Sequence, residues 1–172
     1  PAAGTHVFTA TALNPNGTVD QNASNNSETS NFTIVANGQI AALTILTDCY
    51  GSEITWQIDE DGTGLTMASG GPYGDVTGGV TNIENVCLAA GCYVFTINDS
   101  YGDGLYGSQW TCNVDGDYFM EDQTGANLFQ MTAQNGDFGN ETSHNFCITS
   151  NLSLDAGLSD ISFPSGTICG ST

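Results

Sequence analysis

The chain contains no Lys and no Arg, against 19 Asp and Glu in 172 residues. Nucleic-acid binders neutralise phosphates with those two cations, so nucleic acid is excluded as a partner. An anionic membrane surface repels such a chain for the same reason. Lys and Arg salt bridges are impossible, and trypsin-like proteases find no cleavage site. A net charge of -19 opposes compaction by self-repulsion, and divalent cations or high ionic strength relieve it. The favourable partners are therefore cations, neutral sugars and basic proteins, although most of the acids are expected simply to be solvated. No apolar run is long enough to span a bilayer, and no signal-peptide pattern opens the chain. An interior piece of a longer protein, without membrane insertion, is the expectation.

Catalytic parts are scarce. His6 and His144 are the only histidines, both expected on strand surfaces, and no Ser stands in a Gly-x-Ser-x-Gly elbow. Glycosidases need only two carboxylates, but the acids here lie in Gly-rich loops that suit an ion better than a cleft. The expectation is a protein that is not an enzyme.

What is present points to folded β structure. Hydrophobic residues make up 39% of the chain, and it has 22 Gly, which argues against acidic disorder and for strands and turns. Six cysteines, an even number, in a Gly/Asn/Thr-rich chain suggest disulfides and an oxidising, extracellular setting. Zinc is the rival, but Cys87-Leu-Ala-Ala-Gly-Cys92 lacks a matching second pair. Asn-x-Ser/Thr sequons begin at Asn16, Asn22, Asn25, Asn31, Asn98, Asn140 and Asn151, and they matter only in a host that glycosylates them.

Three segments separate by pattern. Residues 1–36 carry strand candidates at 6–13 and 31–35, divided by the turn Asn14-Pro15-Asn16-Gly17 and an Asn/Ser-rich loop. They are expected to be the last strands of an Ig-like sandwich, because two strands bury too little to stand alone. Residues 37–149 carry Leu43 and Ile45, then Ile54, Trp56 and Ile58, then Tyr93, Phe95 and Ile97 in period-2 alternation. Further strand candidates surround Trp110, Val114, Tyr118–Met120, Leu128–Met131 and Asn145–Ile148. This is an all-β pattern of the β-sandwich or jelly-roll kind. Residues 150–172 begin again with Leu152-Ser153-Leu154 and run through Ile161, Phe163-Pro164 and Cys169, as the first strand of another Ig-like domain. Residues 150–172 of one copy are accordingly expected to join residues 1–36 of the next, in one chain or between chains.

The most informative loop is Asn98-Asp99-Ser100-Tyr101-Gly102-Asp103-Gly104. It follows a strand and sets two carboxylates four residues apart on a glycine-rich turn. Calcium takes six to eight oxygens, carboxylates and backbone carbonyls among them, and glycines let a chain curl so that such groups converge. The spacing is not that of an EF-hand. A second loop, Asp48-Cys49-Tyr50-Gly51-Ser52-Glu53, echoes it. If both stand at one end of the sandwich, Asp48, Glu53, Asp99 and Asp103 share one ion. The bland reading is an acidic turn, and the loops at Asp59–Gly62 and Asp115–Asp117 are expected to be solvated hairpin turns. Exposed Tyr101, Tyr106 or Trp110 are candidates for stacking on a sugar.

Tyr50–Trp56, Cys92–Gly104, and Phe138–Glu141 with Phe146-Cys147 give residues 43–147 a resemblance to a module of secreted and surface proteins of Bacteroidota. Its most specific part is Asp-Ser-Tyr-Gly-Asp-Gly. The flanks resemble Ig-like domains of the CARDB type: Gly4–Phe8 through Asn25-Asn26-Ser27 is similar to an end, and Asp155-Ala156-Gly157 through Pro164 and Cys169 to a start. The resemblance implies a giant adhesin or filament secreted by the type IX route and used in attachment and gliding motility at the cell surface. It also implies neighbouring copies of the same repeat as partners. Such modules also hang from secreted hydrolases, so a carbohydrate-binding or accessory module is the alternative. Six cysteines allow 15 pairings. The expected ones are Cys87–Cys92 as a local staple and Cys49–Cys112 within the central module. Cys147 and Cys169 are left for each other or for a neighbouring domain.

Overall fold

A computed structural model describes residues 2–12, 22, 24, 26–149 and, for the backbone alone, 166–170. The turn at 14–17, the sequons at Asn16, Asn25 and Asn151, the segment 152–165 and the side chain of Cys169 lie outside the described residues. The chain divides into two compact units, Pro1–Gly38 with Leu152–Thr172, and Gln39–Asn151.

The smaller unit is a three-stranded sheet. β1 (Gly4–Thr11) pairs antiparallel with β2 (Ser27–Ala36), and β11 (Gly166–Gly170) lies parallel to β2 on its other side. The expected hand-over of 150–172 to the next copy is therefore corrected: the strand of that segment is seated on β2 of its own chain, with Ile168 opposite Ile34. His6 stacks on Phe32 and bonds to the Ala2 carbonyl.

The larger unit is an all-β sandwich. One sheet runs β10-β7-β4-β5 and the other β6-β3-β8-β9. The ranges are β3 Gln39–Thr47, β4 Ile54–Glu60, β5 Thr66–Gly70, β6 Val80–Leu88, β7 Gly91–Asp99, β8 Asp117–Asp122, β9 Asn127–Gln130 and β10 Glu141–Ile148. Alternation dictates which side chains meet between the sheets. Ala41, Leu43 and Ile45 of β3, Ile54, Trp56 and Ile58 of β4, and Tyr93, Phe95 and Ile97 of β7 are all buried. Phe95 sits at the centre, its ring against Trp56, Tyr118, Phe129 and His144.

Several expectations are corrected here. The stretch around Trp110 and Val114 forms no strand: a 3-10 turn at Gly107–Gln109 and irregular loop occupy it. The loop at 115–117 is no hairpin turn, because β7 and β8 lie in different sheets; Gly116 is buried and its N–H bonds the Leu105 carbonyl at 2.8 Å. His144 is half-buried, bonded to the Tyr118 hydroxyl at 2.8 Å and stacked on Phe129. The loop at 59–62 does join an antiparallel pair, β4 and β5.

Cys49 bridges Cys112 as expected. Cys87 does not staple to Cys92, and Cys147 pairs with neither Cys169 nor a neighbouring domain. Cys92 is bonded to Cys147, which β7–β10 pairing places directly opposite it. The physical reason is that the short link after β6 carries the chain to the other sheet, so Cys87 and Cys92 belong to different sheets. Cys87 is itself disulfide-bonded.

Two predictions follow from this packing. Phe95→Ala is expected to cost about 3–5 kcal/mol, as large-to-small changes at a ring-packed centre do, read by urea unfolding at constant slope; a loss below about 1 kcal/mol contradicts the packing. Non-reducing peptide mapping should recover Cys92 joined to Cys147, and a Cys87–Cys92 peptide contradicts the register of β7 and β10.

Candidate functional site

The site is built at one end of the sandwich, where β3 ends, β4 begins and β7 ends. Inward-facing positions of β7 run Tyr93, Phe95, Ile97 and then Asp99, so the alternation that fills the core delivers a carboxylate at its edge. Asp99 is buried and stands opposite Ile54, the residue after Glu53. The Ser100 N–H bonds the Glu53 carbonyl at 3.1 Å, tying the two loops together.

Asp99 organises the loop that follows it. One carboxylate oxygen accepts the Tyr101 N–H at 2.9 Å, and the other accepts those of Gly102, Asp103 and Gly104 at 2.8, 2.7 and 2.7 Å. Such a curl needs left-handed backbone, which Gly102 (φ +106°) and Gly104 (φ +70°) supply. The curl drops Leu105 into the core with no exposure and returns Asp103 toward Asp99. Asp103 is buried, and one of its oxygens accepts the indole N–H of Trp110 and the amide of Gln109.

Glu53, Asp99 and Asp103 thus come together, each offering a carboxylate oxygen within 4.8 Å of the others. Asp48 stands beside this triad: it is buried, accepts the Tyr50 N–H at 2.8 Å, and Gly107 passes against its side chain, where a Cβ would lie 2.9 Å from its carboxylate. With no Lys or Arg in the chain, no permanent positive side-chain charge balances these groups. Burial, and then the neighbouring Asp99, Asp103, Asp48 and Asp75, push the Glu53 carboxyl up to about 7. Burial likewise raises Asp48, with Asp103, Asp99 and Asp115 adding to the effect against the Tyr50 N–H.

A cavity of about 260 Å³ opens over the cluster, lined by Tyr50, Glu53, Tyr101, Asp103, Trp110 and Thr111. Tyr101 and Trp110, two of the three aromatics singled out from sequence, form its walls; Tyr106 does not line it. Tyr50 and Thr111, missed from sequence, close one side through a 3.0 Å hydroxyl contact, next to the Cys49–Cys112 bridge. The signal available for Tyr50 was its place in the acidic loop between Cys49 and Glu53.

Comparison of the chain with protein-family models, curated proteins and solved structures finds no match.

The triad sets a pH trend in metal-free protein. Folded Glu53 holds its proton to about 7, and unfolded Glu53 releases it near 4.5. Between those values the folded state binds more protons, so this group's contribution to stability falls as pH rises. Burial lowers the pKa of His144, which gives the opposite trend, so the comparison must be with Glu53→Gln. From the lower to the upper pH, the wild type is expected to lose roughly 5 °C of Tm relative to the variant, the size of about 1 kcal/mol after solvent screening of a part-exposed group. Parallel melting curves in chelator contradict the crowding.

Proposed function

We propose that the chain is a non-enzymatic structural and adhesive repeat of an extracellular surface protein, and that calcium holds the acidic end of its larger unit. The observation that carries this reading is the convergence of Glu53, Asp99 and Asp103 in a chain with no Lys or Arg. Oxygen-only ligands at a loop end are what calcium takes, and backbone carbonyls and water complete such a shell. The ion removes the repulsion that otherwise has to be met by protonating Glu53.

The remaining features support a mechanical role. The Cys49–Cys112 and Cys92–Cys147 bridges limit unfolding and suit an oxidising exterior. Among the described residues no helix is long and apolar enough to cross a membrane. His144 is engaged by Tyr118 and Phe129, which leaves the carboxylates without a histidine partner for acid–base work. The Asp-Ser-Tyr-Gly-Asp-Gly resemblance supports placing the repeat in a Bacteroidota adhesin or filament, with neighbouring copies as its partners, multiplying weak contacts by number.

A thermal melt with calcium and with chelator tests the reading. At a hundred-fold excess over Kd, linkage gives about 2.7 kcal/mol, or roughly 10 °C in Tm. Asp103→Asn should lose most of that gain. A melting temperature indifferent to calcium and chelator contradicts it.

A further inference from the structure

The carboxylates are the feature that points to an ion. This end of the sandwich also presents two large rings to solvent, Tyr101 at 61% and Trp110 at 52% exposure, and both face one cavity. They stand edge to face, with centroids 5.7 Å apart and planes at 85°. Trp110 is held in place by its indole N–H on Asp103, so its ring is set before any ligand arrives, which lowers the cost of binding. At about 260 Å³ the cavity is smaller than the ~300–1,000 Å³ pockets of drug-sized ligands, and it suits a single ring.

We propose that this cavity is a carbohydrate subsite, taking one neutral pyranose that packs into the corner between the perpendicular rings of Tyr101 and Trp110 and turns vicinal hydroxyls to a calcium ion held by Glu53, Asp99 and Asp103. The proposal rests on the calcium reading above and names the ligand of that same site. Charge decides between ligand classes. With the acids unbalanced, the cavity attracts an organic cation, through the carboxylates and the ring faces together. Once calcium balances them, what remains is ring faces for the C–H face of a sugar and an ion whose open positions accept hydroxyl oxygens. Glu53 and Asp103 belong to both the triad and the cavity wall, so the ion and the sugar meet there.

Calorimetry on the whole chain separates the outcomes. Calcium is titrated alone, then the methyl glycosides of mannose, galactose and fucose are titrated with calcium or with chelator, alongside a glycan array. Sugar binding that requires calcium is expected. Tyr101→Ala should keep the calcium affinity and Tm of the wild type while weakening the sugar about ten-fold or more. Trp110→Phe, which retains a ring face, should lose less. Calcium heats with no sugar bound in either format overturn the subsite and leave the calcium reading standing. No calcium heat overturns both. Binding of choline or lysine that calcium abolishes, with no sugar bound, assigns the cavity to organic cations and overturns the proposal, as does Tyr101→Ala with unchanged sugar affinity.

Discussion

Like charges held close together are the constraint on which this end of the molecule turns. Glu53, Asp99 and Asp103 converge, with Asp48 beside them, and the chain has no Lys or Arg to place between them. Three devices respond to that repulsion. Backbone N–H groups from 101–104 surround Asp99; the indole of Trp110 and the amide of Gln109 meet Asp103; and Glu53, with neither device, is left to hold a proton into the neutral range. The loop is thus organised by hydrogen bonds before any ion is considered. Glu53 is the member whose charge is not provided for.

The sandwich explains why the acids meet at all. Its core is a ring-rich seam around Phe95, and the period-2 register that buries Tyr93, Phe95 and Ile97 continues to Asp99 without a break. Leu105 plugs the core below the loop and bonds through its backbone to Gly136 and Gly116. Packing therefore anchors the loop from beneath, and the Cys49–Cys112 bridge ties the neighbouring acidic loop to the segment that carries Trp110 and Thr111. Rigidity at the site is borrowed from the core and the disulfide, since ion pairs with Lys or Arg are unavailable to this chain.

Much of this was legible in the sequence, and the reasons for the exceptions are local. Clean alternation marked β3, β4 and β7, because each carries one apolar face. β6 went unread because Asn82 and Glu84 stand at two of its inward positions, and β5 because Thr66–Gly70 is a short strand of mostly small residues at the sheet edge. Trp110 and Val114 suggested a strand by composition, yet both serve a loop. The four acids were legible as two echoing loops that would meet if both stood at one end of the sandwich; that Glu53, Asp99 and Asp103 close up with Asp48 beside them was not, since it depends on β4 and β7 pairing with Ile54 opposite Asp99. Cys87 and Cys92 misled for a related reason: five residues apart in sequence, they sit on strands of different sheets, while strand pairing brings Cys147 to Cys92 across a separation of 55.

On this account the charge of the chain has two parts. Most acids are solvated, as at Asp122, whose carboxyl is held below its usual range by the hydroxyl of Thr124 and the amides of Ala126 and Thr124. A few are gathered, and the gathered ones are the proposed reason for calcium. The most direct measurement is a crystal structure grown with calcium. It should show an ion bonded to Glu53, Asp99 and Asp103 at about 2.3–2.6 Å. A water between the three carboxylates, or a Glu53 oxygen within hydrogen-bond distance of an aspartate oxygen with no ion between them at saturating calcium, would contradict the account.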